Sequence, residues 1–281
     1  MLSIIICSRK ENVSDELATN IDKTIGCAYE LIVIDNSANK YSIFEAYNLG
    51  IEKSKGIYLC FIHDDILFHT QNWGEVINRV FNENPKAGLL GIAGTKMKTK
   101  MPSAWWRCPE DKKAIKIIQH SKHPPSVNWD LGFKNNSLEQ VVVIDGVFMV
   151  LRKDKNLHFN KEIKGFHNYD LNISFECIKK GFTIFVTDEI LTEHFSAGSI
   201  NKDWVVSTFK IHRMYKDLLP LFLPKETLNK KMETANAKRF IKDCFKHKKR
   251  GLAFSTWIRL FNLDPLSKYS IKFFVLFIKS F

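Results

Sequence analysis

Short apolar strands alternate with helical segments near the start of the chain, and this alternation is the feature that most constrains the fold. Residues 3–8, 31–34 and 57–62 are nearly continuous apolar runs. Runs of this kind are typical of strands buried on both faces of a parallel sheet. Helical periodicity over residues 42–55 separates the second and third runs, and helical periodicity over 73–84 follows the third. The pattern predicts an α/β fold in which helices flank a mixed, mostly parallel sheet.

Residues 95–140 break this pattern. They are rich in lysine and histidine, and we interpret them as a long loop region with room for one short helix. Loops of this length inside a compact domain are usually functional or mobile. The prolines and tryptophans that support this interpretation are Pro102, Pro109, Pro124, Pro125, Trp105, Trp106 and Trp129.

The charge of the chain is unevenly distributed. Its formal net charge is +12, yet residues 1–201 are charge-balanced and residues 202–281 carry the whole excess. We therefore predict a globular domain over 1–201, with halves at about 1–95 and about 96–201, and a basic, aromatic-rich helical extension over 202–281. Because the globular part has neither a basic excess nor a nucleic-acid motif, we expect no nucleic-acid partner.

The location of the protein is predicted from targeting signals and cysteines. The apolar start of the chain is short, and its basic residues follow it, so we interpret it as a strand and not as a secretory signal. Six scattered cysteines without a CxxC pair are typical of reduced thiols in a cytoplasmic protein. The basic segment 225–281 has two interpretations: helices packed on the domain, or an interfacial segment on the anionic inner face of the plasma membrane.

Polar side chains follow the first three predicted strands, where an open parallel sheet binds its ligands. Ser8 and Arg9 follow the first strand, Asp35 follows the second, and Asp64 and Asp65 follow the third. The chain contains neither a GxGxxG nor a GxxxxGK[ST] loop. A nucleotide at this edge would therefore need a metal ion between the carboxylates and its diphosphate.

Each acidic candidate also has a structural interpretation. Asp64 and Asp65 either share a hard divalent cation or cap the next helix. Asp35 either contacts a ribose hydroxyl or forms an Asx-turn. Asp170, at the start of a predicted helix, either caps that helix or takes a proton from an attacking hydroxyl. His194 is either a ligand or a structural histidine.

The order of these motifs resembles that of the inverting GT-A glycosyltransferases, and more narrowly the family-two-like bacterial glycosyltransferases. The motifs are a strand ending in Asp-Asn-Ser, an Ala-Tyr-Asn-Leu-Gly helix, the run Gly-x-Tyr-Leu-x-Phe-x-His-Asp-Asp, an Asp-Gly segment, a Tyr-Asp helix start and a late histidine. The resemblance covers about residues 1–200. It implies the GT-A (Rossmann-like) fold for this part of the chain, with a nucleotide-sugar-binding donor half over about 1–95 and an acceptor half over about 96–201.

The resemblance also implies roles for individual residues. Asp65 would be the direct ligand of a divalent cation, Mn²⁺ or Mg²⁺, and His194 would complete the metal site. On the donor side, Asp64 would lie nearer the ribose or sugar, and the remaining contacts would be Ser8, Arg9, Asp35 and Asn48. Asp170 would be the catalytic base, although Tyr169 replaces the acid that usually precedes it. Acceptor-side residues would be Asp145 and Gly146, with Trp105 and Trp106 either as a stacking platform for an acceptor sugar or as core.

The predicted function is a metal-dependent, inverting hexosyl transfer from a nucleotide-diphospho-sugar to a hydroxyl group. The acceptor would be a saccharide or a lipid-linked molecule, as in bacterial cell-surface polysaccharide or glycolipid synthesis. Two alternatives remain. A sugar-nucleotidyltransferase would normally carry a glycine-rich loop after the first strand, and residues 8–14 contain no glycine. The other alternative is a non-catalytic module that binds sugar nucleotides.

Overall fold

The computed structural model describes residues 1–121, 126–134, 136–224, 229–265 and 268–278. The strands in these residues are β1 (Leu2–Ser8), β2 (Tyr29–Asp35), β3 (Tyr58–Ile62), β4 (Ile66–Phe68), β5 (Ala87–Gly91), β6 (Ala93–Thr95), β7 (Met97–Lys98), β8 (Lys113–Gln119), β9 (Val127–Leu131), β10 (Leu138–Val141), β11 (Val143–Ile144), β12 (Phe148–Arg152), β13 (Thr183–Thr187), β14 (Thr192–His194) and β15 (Leu221–Phe222). The α-helices are α1 (Asp15–Thr24), α2 (Ile43–Lys53), α3 (Trp73–Glu83), α4 (Tyr169–Lys179), α5 (Lys202–Met214), α6 (Lys230–Lys246), α7 (Arg250–Leu263) and α8 (Lys268–Ile278).

The predicted α/β fold is confirmed. Within the described part of the chain, the main sheet has seven strands in the order β10-β13-β5-β12-β3-β1-β2. Strands β1, β2 and β3 run parallel, whereas β12 is antiparallel to its neighbours β3 and β5. In the β1–β2 register Ser8 pairs with Asp35. The carboxyl ends of these strands, with the candidate residues that follow them, therefore meet at one edge of the sheet.

The interpretation of residues 95–140 as a long loop was wrong. A second sheet, in the order β11-β6-β8-β14-β4 with β9 beside β8, takes several of its strands from this region. Strand β8 buries Ala114, Ile115 and Ile117, but Lys113 and Lys116 interrupt its apolar residues, so it does not stand out from its lysine-rich surroundings. Its pairing with β14 joins segments about 75 residues apart. This long-range pairing, and not local propensity, makes the segment a strand.

Helix α2 shows how local sequence sets the helix boundaries near the site. Ser42 caps its N-terminus, and Glu45 returns a hydrogen bond to the backbone of Ser42 in a complete capping box. This pairing satisfies two backbone donors that a helix end leaves free. The helix start that follows β2 is therefore specified by two side chains.

Two hydrophobic clusters lie in the described residues. The larger one spans the main sheet and its helices, and the smaller one contains Phe240, Leu260 and Phe273 of the C-terminal helices. Helix α5 contributes Val205 to the smaller cluster and Ile211 to the larger one. The predicted division of the chain at residue 201 remains a prediction. Among the helices described, none has the length and apolarity that crossing a membrane requires.

Candidate active site

A cavity of about 580 Å³ lies where the ends of the main-sheet strands face the second sheet. Its polar lining includes histidines and carboxylates, and several aromatic rings form its walls. The polar residues include His63, Gln119, Asp145, Tyr169, Asp170 and His194, and the aromatic residues include Trp105, Trp106, Trp129, Phe166 and Trp204. The structure thus brings six predicted site residues to one cavity: Trp105, Trp106, Asp145, Gly146, Asp170 and His194.

His63 and His194 line this cavity, and together with Asp65 they offer ligand atoms that lie within 4.8 Å of one another. Nε2 of His194 is 3.4 Å from Oδ1 of Asp65, and Nδ1 of His63 is 3.8 Å from the same oxygen. Burial opposes ionisation of Asp65, but hydrogen bonds from His194 and Ser196 hold its pKa well below its ordinary value. Burial and the neighbouring His194 lower the pKa of His63, which favours the neutral, ligating imidazole.

The far nitrogens of both imidazoles are held in place. Nδ1 of His194 donates to Oε1 of Gln119 at 2.9 Å, and Nε2 of His63 lies 2.6 Å from the hydroxyl oxygen of Tyr169. Outer contacts of this kind orient histidine ligands and select their tautomer. Two imidazoles, a carboxylate and two orienting partners form a donor set that fits a divalent cation.

His63, Gln119 and Tyr169 were not predicted as part of this cluster. His63 had a readable signal, because it directly precedes Asp64 and Asp65 in the run that stands where the resemblance places a metal motif. Gln119 pairs with His194 in the β8–β14 register, so it became visible only with the second sheet. Tyr169 stands where the resemblance places an acid. The contact of its hydroxyl with Nε2 of His63 gives a tyrosine a role at this position.

The donor-side candidates lie at the edge of the main sheet. The Ser8 hydroxyl and the Arg9 backbone N–H lie within hydrogen-bonding distance of Oδ2 of Asp64, at 3.3 Å and 3.4 Å. Asp35 forms the Asx-turn that was one of its two interpretations, since its Oδ1 accepts from the N–H of Ser37 at 2.9 Å. Hydrogen bonds from Ser37 lower the pKa of Asp35. Its carboxylate is nevertheless exposed, beside Ser8 in the register. The donor-binding roles of these residues remain predictions.

Asn48 occupies a different environment. Its Nδ2 donates to the carbonyl of Phe159 at 2.8 Å, and its Oδ1 accepts from the Phe159 N–H at 2.9 Å. Both functions of this buried amide are therefore used to join α2 to the segment before α4. The structure gives Asn48 a cross-linking role, and direct contact with a donor stays a prediction.

Asp170 lies in the first turn of α4 and lines the cavity. The residue at the N-cap is Asn168, so the predicted alternative in which Asp170 caps the helix is not what the structure shows. Its Oδ1 accepts from the N–H of Leu171 at 2.8 Å. Burial, reinforced by the charge of Asp145, raises the pKa of Asp170 to about 7. A carboxyl group with this pKa is suited to proton transfer near neutral pH.

The predicted acceptor side is built around Asp145. Its Oδ2 accepts from Nε1 of Trp105 at 2.7 Å, and its Oδ1 accepts from the N–H of Val147. Gly146 is required by close packing, since a Cβ atom there would lie 2.4 Å from the hydroxyl oxygen of Tyr169. Trp105 is largely buried, whereas Trp106 is exposed and packs edge-on against it. Stacking of a sugar on these rings remains a prediction.

The GT-A glycosyltransferases have a mixed, mostly parallel sheet with a ligand cavity at its strand ends. The fold of this chain therefore places it in that class. A sequence model of the Glycosyltransferase like family matches residues 3–218, and the chain belongs to that family. The predicted resemblance to family-two-like enzymes of GT-A fold is thereby confirmed, and membership favours glycosyl transfer over nucleotidyl transfer.

Solved structures with the same fold support this assignment. The crystal structure of S. aureus TarS 1–349 in complex with UDP-GlcNAc is 12% identical, with a TM-score of 0.51 over 99% of this chain and 81% of that chain. The complex of TarS 1–349 with UDP is also 12% identical, with a TM-score of 0.50 over 87% and 72% of the two chains. At this identity the similarity concerns the fold. None of the curated protein sequences matches this chain.

Proposed function

We propose that this glycosyltransferase moves a sugar from a nucleotide-diphospho-sugar to a hydroxyl acceptor with inversion at the anomeric carbon. The observation that carries the proposal is that Asp170 lines the same cavity as His63 and His194, which form a cluster with Asp65. A base for the acceptor and a cation site for the donor diphosphate are the two groups that such a transfer needs. The nucleotide ligands of the TarS complexes agree with this donor class.

His63, Asp65 and His194 would hold a divalent cation. When bound, the cation supplies positive charge that offsets the negative charge developing on the leaving diphosphate. Two imidazole nitrogens beside one carboxylate favour a transition ion such as Mn²⁺ over Mg²⁺, which prefers oxygen ligands. Ser8, Arg9, Asp35 and Asp64 would contact the nucleoside and sugar of the donor.

Asp170 takes the proton of the acceptor hydroxyl in the proposed reaction. The freed oxygen forms a bond to the anomeric carbon while the bond from that carbon to the diphosphate oxygen breaks. The proton remains on Asp170, and the electron pair leaves with the diphosphate. One displacement from the face opposite the leaving group inverts the configuration. Asp145, held by Trp105, lies beside this path and raises the pKa of the base.

The proposal is tested by incubating the purified chain with Mn²⁺ and a panel of nucleotide sugars, including UDP-, GDP- and dTDP-linked hexoses. We expect one donor to release free nucleoside diphosphate, with faster release when a saccharide acceptor is present. Binding of a donor without release by any member of the panel would instead support a non-catalytic binding module. Measuring the anomeric configuration of the product by NMR tests inversion separately.

We further propose that the C-terminal helices place the enzyme on an anionic membrane surface. Phe254, Ile258 and Phe261 follow one another at helical spacing on α7 and are exposed. Phe274 and Ile278 of α8 are also exposed, and Ile278 retains 71% of its accessible surface. Trp257 joins the two helices, with ring centroids 5.4 Å from Phe261 and 4.8 Å from Phe274. These side chains form a continuous apolar face, here called the α7–α8 face.

Basic side chains surround the α7–α8 face. Lys246, Lys248, Lys268 and Lys272 are all exposed on or next to these helices, and residues 202–281 hold the whole net charge of the chain. Exposed aromatic and aliphatic side chains flanked by lysines favour the interface of an anionic bilayer. An inner-membrane location and a lipid-linked acceptor follow as proposals. Residues 225–228, 266–267 and 279–281 of the predicted membrane segment lie outside the described residues.

The variant Ile258→Ser/Phe274→Ser/Ile278→Ser is expected to lose vesicle binding. Flotation with phosphatidylglycerol vesicles should recover wild-type protein and at least about fivefold less of the triple variant, because the buried apolar contact is removed. Ile57→Ser, an exposed isoleucine outside the extension, is the matched control and should float like wild type. Equal flotation of the triple variant, or no flotation of wild type, would contradict the membrane proposal.

A further inference from the structure

The loop between β7 and β8 forms one wall of the cavity, but it packs against the C-terminal helices. Its residues Ala104, Trp105 and Trp106 line the cavity. Met101 and Ala104 belong to the smaller hydrophobic cluster, together with residues of α5 and α6 such as Phe240. We call residues 99–107 the acceptor-side loop. Its position therefore depends on the extension as well as on the main core, to which Trp105 belongs.

Glu233 of α6 holds this loop directly. Its two carboxylate oxygens accept from the backbone N–H groups of Lys100 and Met101, at 2.7 Å and 2.8 Å. The side chain is only 1% exposed. A buried carboxylate is costly unless it is hydrogen-bonded, and bonds to a charged acceptor are stronger than neutral ones. The two N–H groups that bind Glu233 therefore fix the position of the loop backbone relative to α6.

Two further buried side chains complete the attachment. Asn236, one turn after Glu233, donates to Oγ1 of Thr99 at 2.9 Å and to the carbonyl of Arg107 at 3.1 Å, so it ties both ends of the loop. Within the fold of the loop, Nζ of Lys98 donates to the carbonyl and the hydroxyl of Ser103 at 2.7 Å and 2.5 Å.

The anchored loop in turn contacts Asp145, which lines the cavity. Trp105 follows the anchored residues, and its indole N–H is the donor to Oδ2 of Asp145. The other oxygen of Asp145 accepts from the Val147 N–H at 2.9 Å, and the Asp145 charge acts on Asp170. A chain of contacts thus runs from α6 through the loop to the residue beside the proposed base.

We infer that Glu233 and Asn236 are positioning residues of the acceptor site, which makes the C-terminal extension part of the catalytic apparatus. Their role is to hold the acceptor-side loop so that Trp105 fixes Asp145 and the cavity wall keeps its shape. Preorganised groups accelerate a transfer because misplacement of about 1 Å can cost about a hundredfold in rate. The kinetic effect that the inference predicts rests on the proposed transfer. The structural effect that it predicts rests on the contacts alone.

Hydrogen exchange of the full-length chain tests the structural part. In wild type, the amides of Lys100, Met101 and Val147 should be protected, although they lie outside helices. Glu233→Gln leaves one acceptor oxygen for two donors and should release at least one of the Lys100 and Met101 amides. It should also speed exchange at Val147, which α6 does not hydrogen-bond, at least about fivefold. Glu75→Gln, the same change at an exposed site on α3, should leave all three rates unchanged.

Kinetics test the functional part, with p-nitrophenyl glycosides as acceptor probes and the donor that the panel identifies. Glu233→Gln and Asn236→Ala should raise the acceptor KM at least about fivefold and leave the donor KM within about twofold. Equal changes in both KM values, or none, would overturn the inference while the proposed transfer stands. If no glycoside stimulates release of the nucleoside diphosphate, the exchange rate of the Val147 amide in Glu233→Gln decides the inference. Faster exchange supports it, and an unchanged rate overturns it. Free exchange of Lys100 and Met101 in wild type would overturn it even if neither variant folds.

Discussion

Replacing Asp170 with asparagine is expected to lower the turnover number at least about a hundredfold, because general base catalysis typically contributes a factor of about 10²–10⁴. Asparagine keeps the size of the side chain but cannot take the proton of the acceptor hydroxyl. Donor binding should survive, since the donor-side residues lie at the main-sheet edge and not in α4. Single-turnover transfer and a donor titration measure the two quantities separately.

Asp203→Asn provides a matched control for this variant. Asp203 holds the same position in the first turn of α5 as Asp170 does in α4, so both changes remove one charge from a helix N-terminus. Only Asp170 lines the cavity, and Asp203→Asn should therefore keep near-full activity. Equal losses of activity in the two variants would show that the loss comes from lower helix stability. Near-full activity of Asp170→Asn would show that the base lies elsewhere.

The pH dependence of turnover gives the same assignment an independent measurement. The ionised carboxylate is the active form, and its pKa is about 7, so turnover should rise with pH through that value and level off above it. Two charged groups face Asp170: Asp145 raises its pKa and buried Lys98 lowers it. Asp145→Asn removes the neighbouring negative charge and should move the inflection to lower pH. An unchanged inflection would contradict the placement of this pair.

Chelation of divalent cations is expected to abolish transfer, and Mn²⁺ should restore it better than Mg²⁺. His194→Ala removes one of three ligands and should reduce Mn²⁺ affinity by at least about a hundredfold. Gln119→Ala removes an orienting partner and should cost about 10–100-fold, the range for outer contacts of metal sites. Isothermal titration with Mn²⁺ alone measures both losses without relying on activity.

His69→Ala is the control for the metal variants. His69 follows β4, at the opposite end of that strand from the His63, Asp65 and His194 cluster, and its Nε2 is paired with Glu193 at 2.8 Å. We expect its Mn²⁺ affinity to equal that of wild type. Full transfer activity after chelation, or Mn²⁺ binding that does not change in His194→Ala, would refute the proposed cation site.

Much of the donor half could be predicted from local sequence. The apolar runs at β1, β2 and β3 are long and rich in aliphatic residues, and a parallel sheet must collect their carboxyl ends at one edge. The placement of Ser8, Asp35 and Asp64 at that edge follows from this rule. Asn48 shows its limit, since its partner is the backbone of Phe159, 111 residues away, and no local pattern contains that contact.

The acceptor half was much harder to predict. Strand β8 is interrupted by Lys113 and Lys116 and lies between prolines and charged residues, so its state is set by pairing with β6 and β14 and not by propensity. The prediction of a loop there hid Gln119, and with it the orienting contact to His194. The division at residue 201 left no reason to connect Glu233 with the cavity, because the buried hydrogen bonds that join them span more than 130 residues.

The sequence by itself determined the α/β class, the glycosyltransferase resemblance and the residue types at the strand ends, because periodicity and strand-end chemistry are local properties of a chain. Only the tertiary structure decided which of those residues converge. It joined His63 to Asp65 and His194, raised the pKa of Asp170 through burial and Asp145, and brought Glu233 to the acceptor-side loop. Burial, electrostatic coupling and strand pairing depend on distances in space, which residues far apart in sequence acquire only when the chain folds.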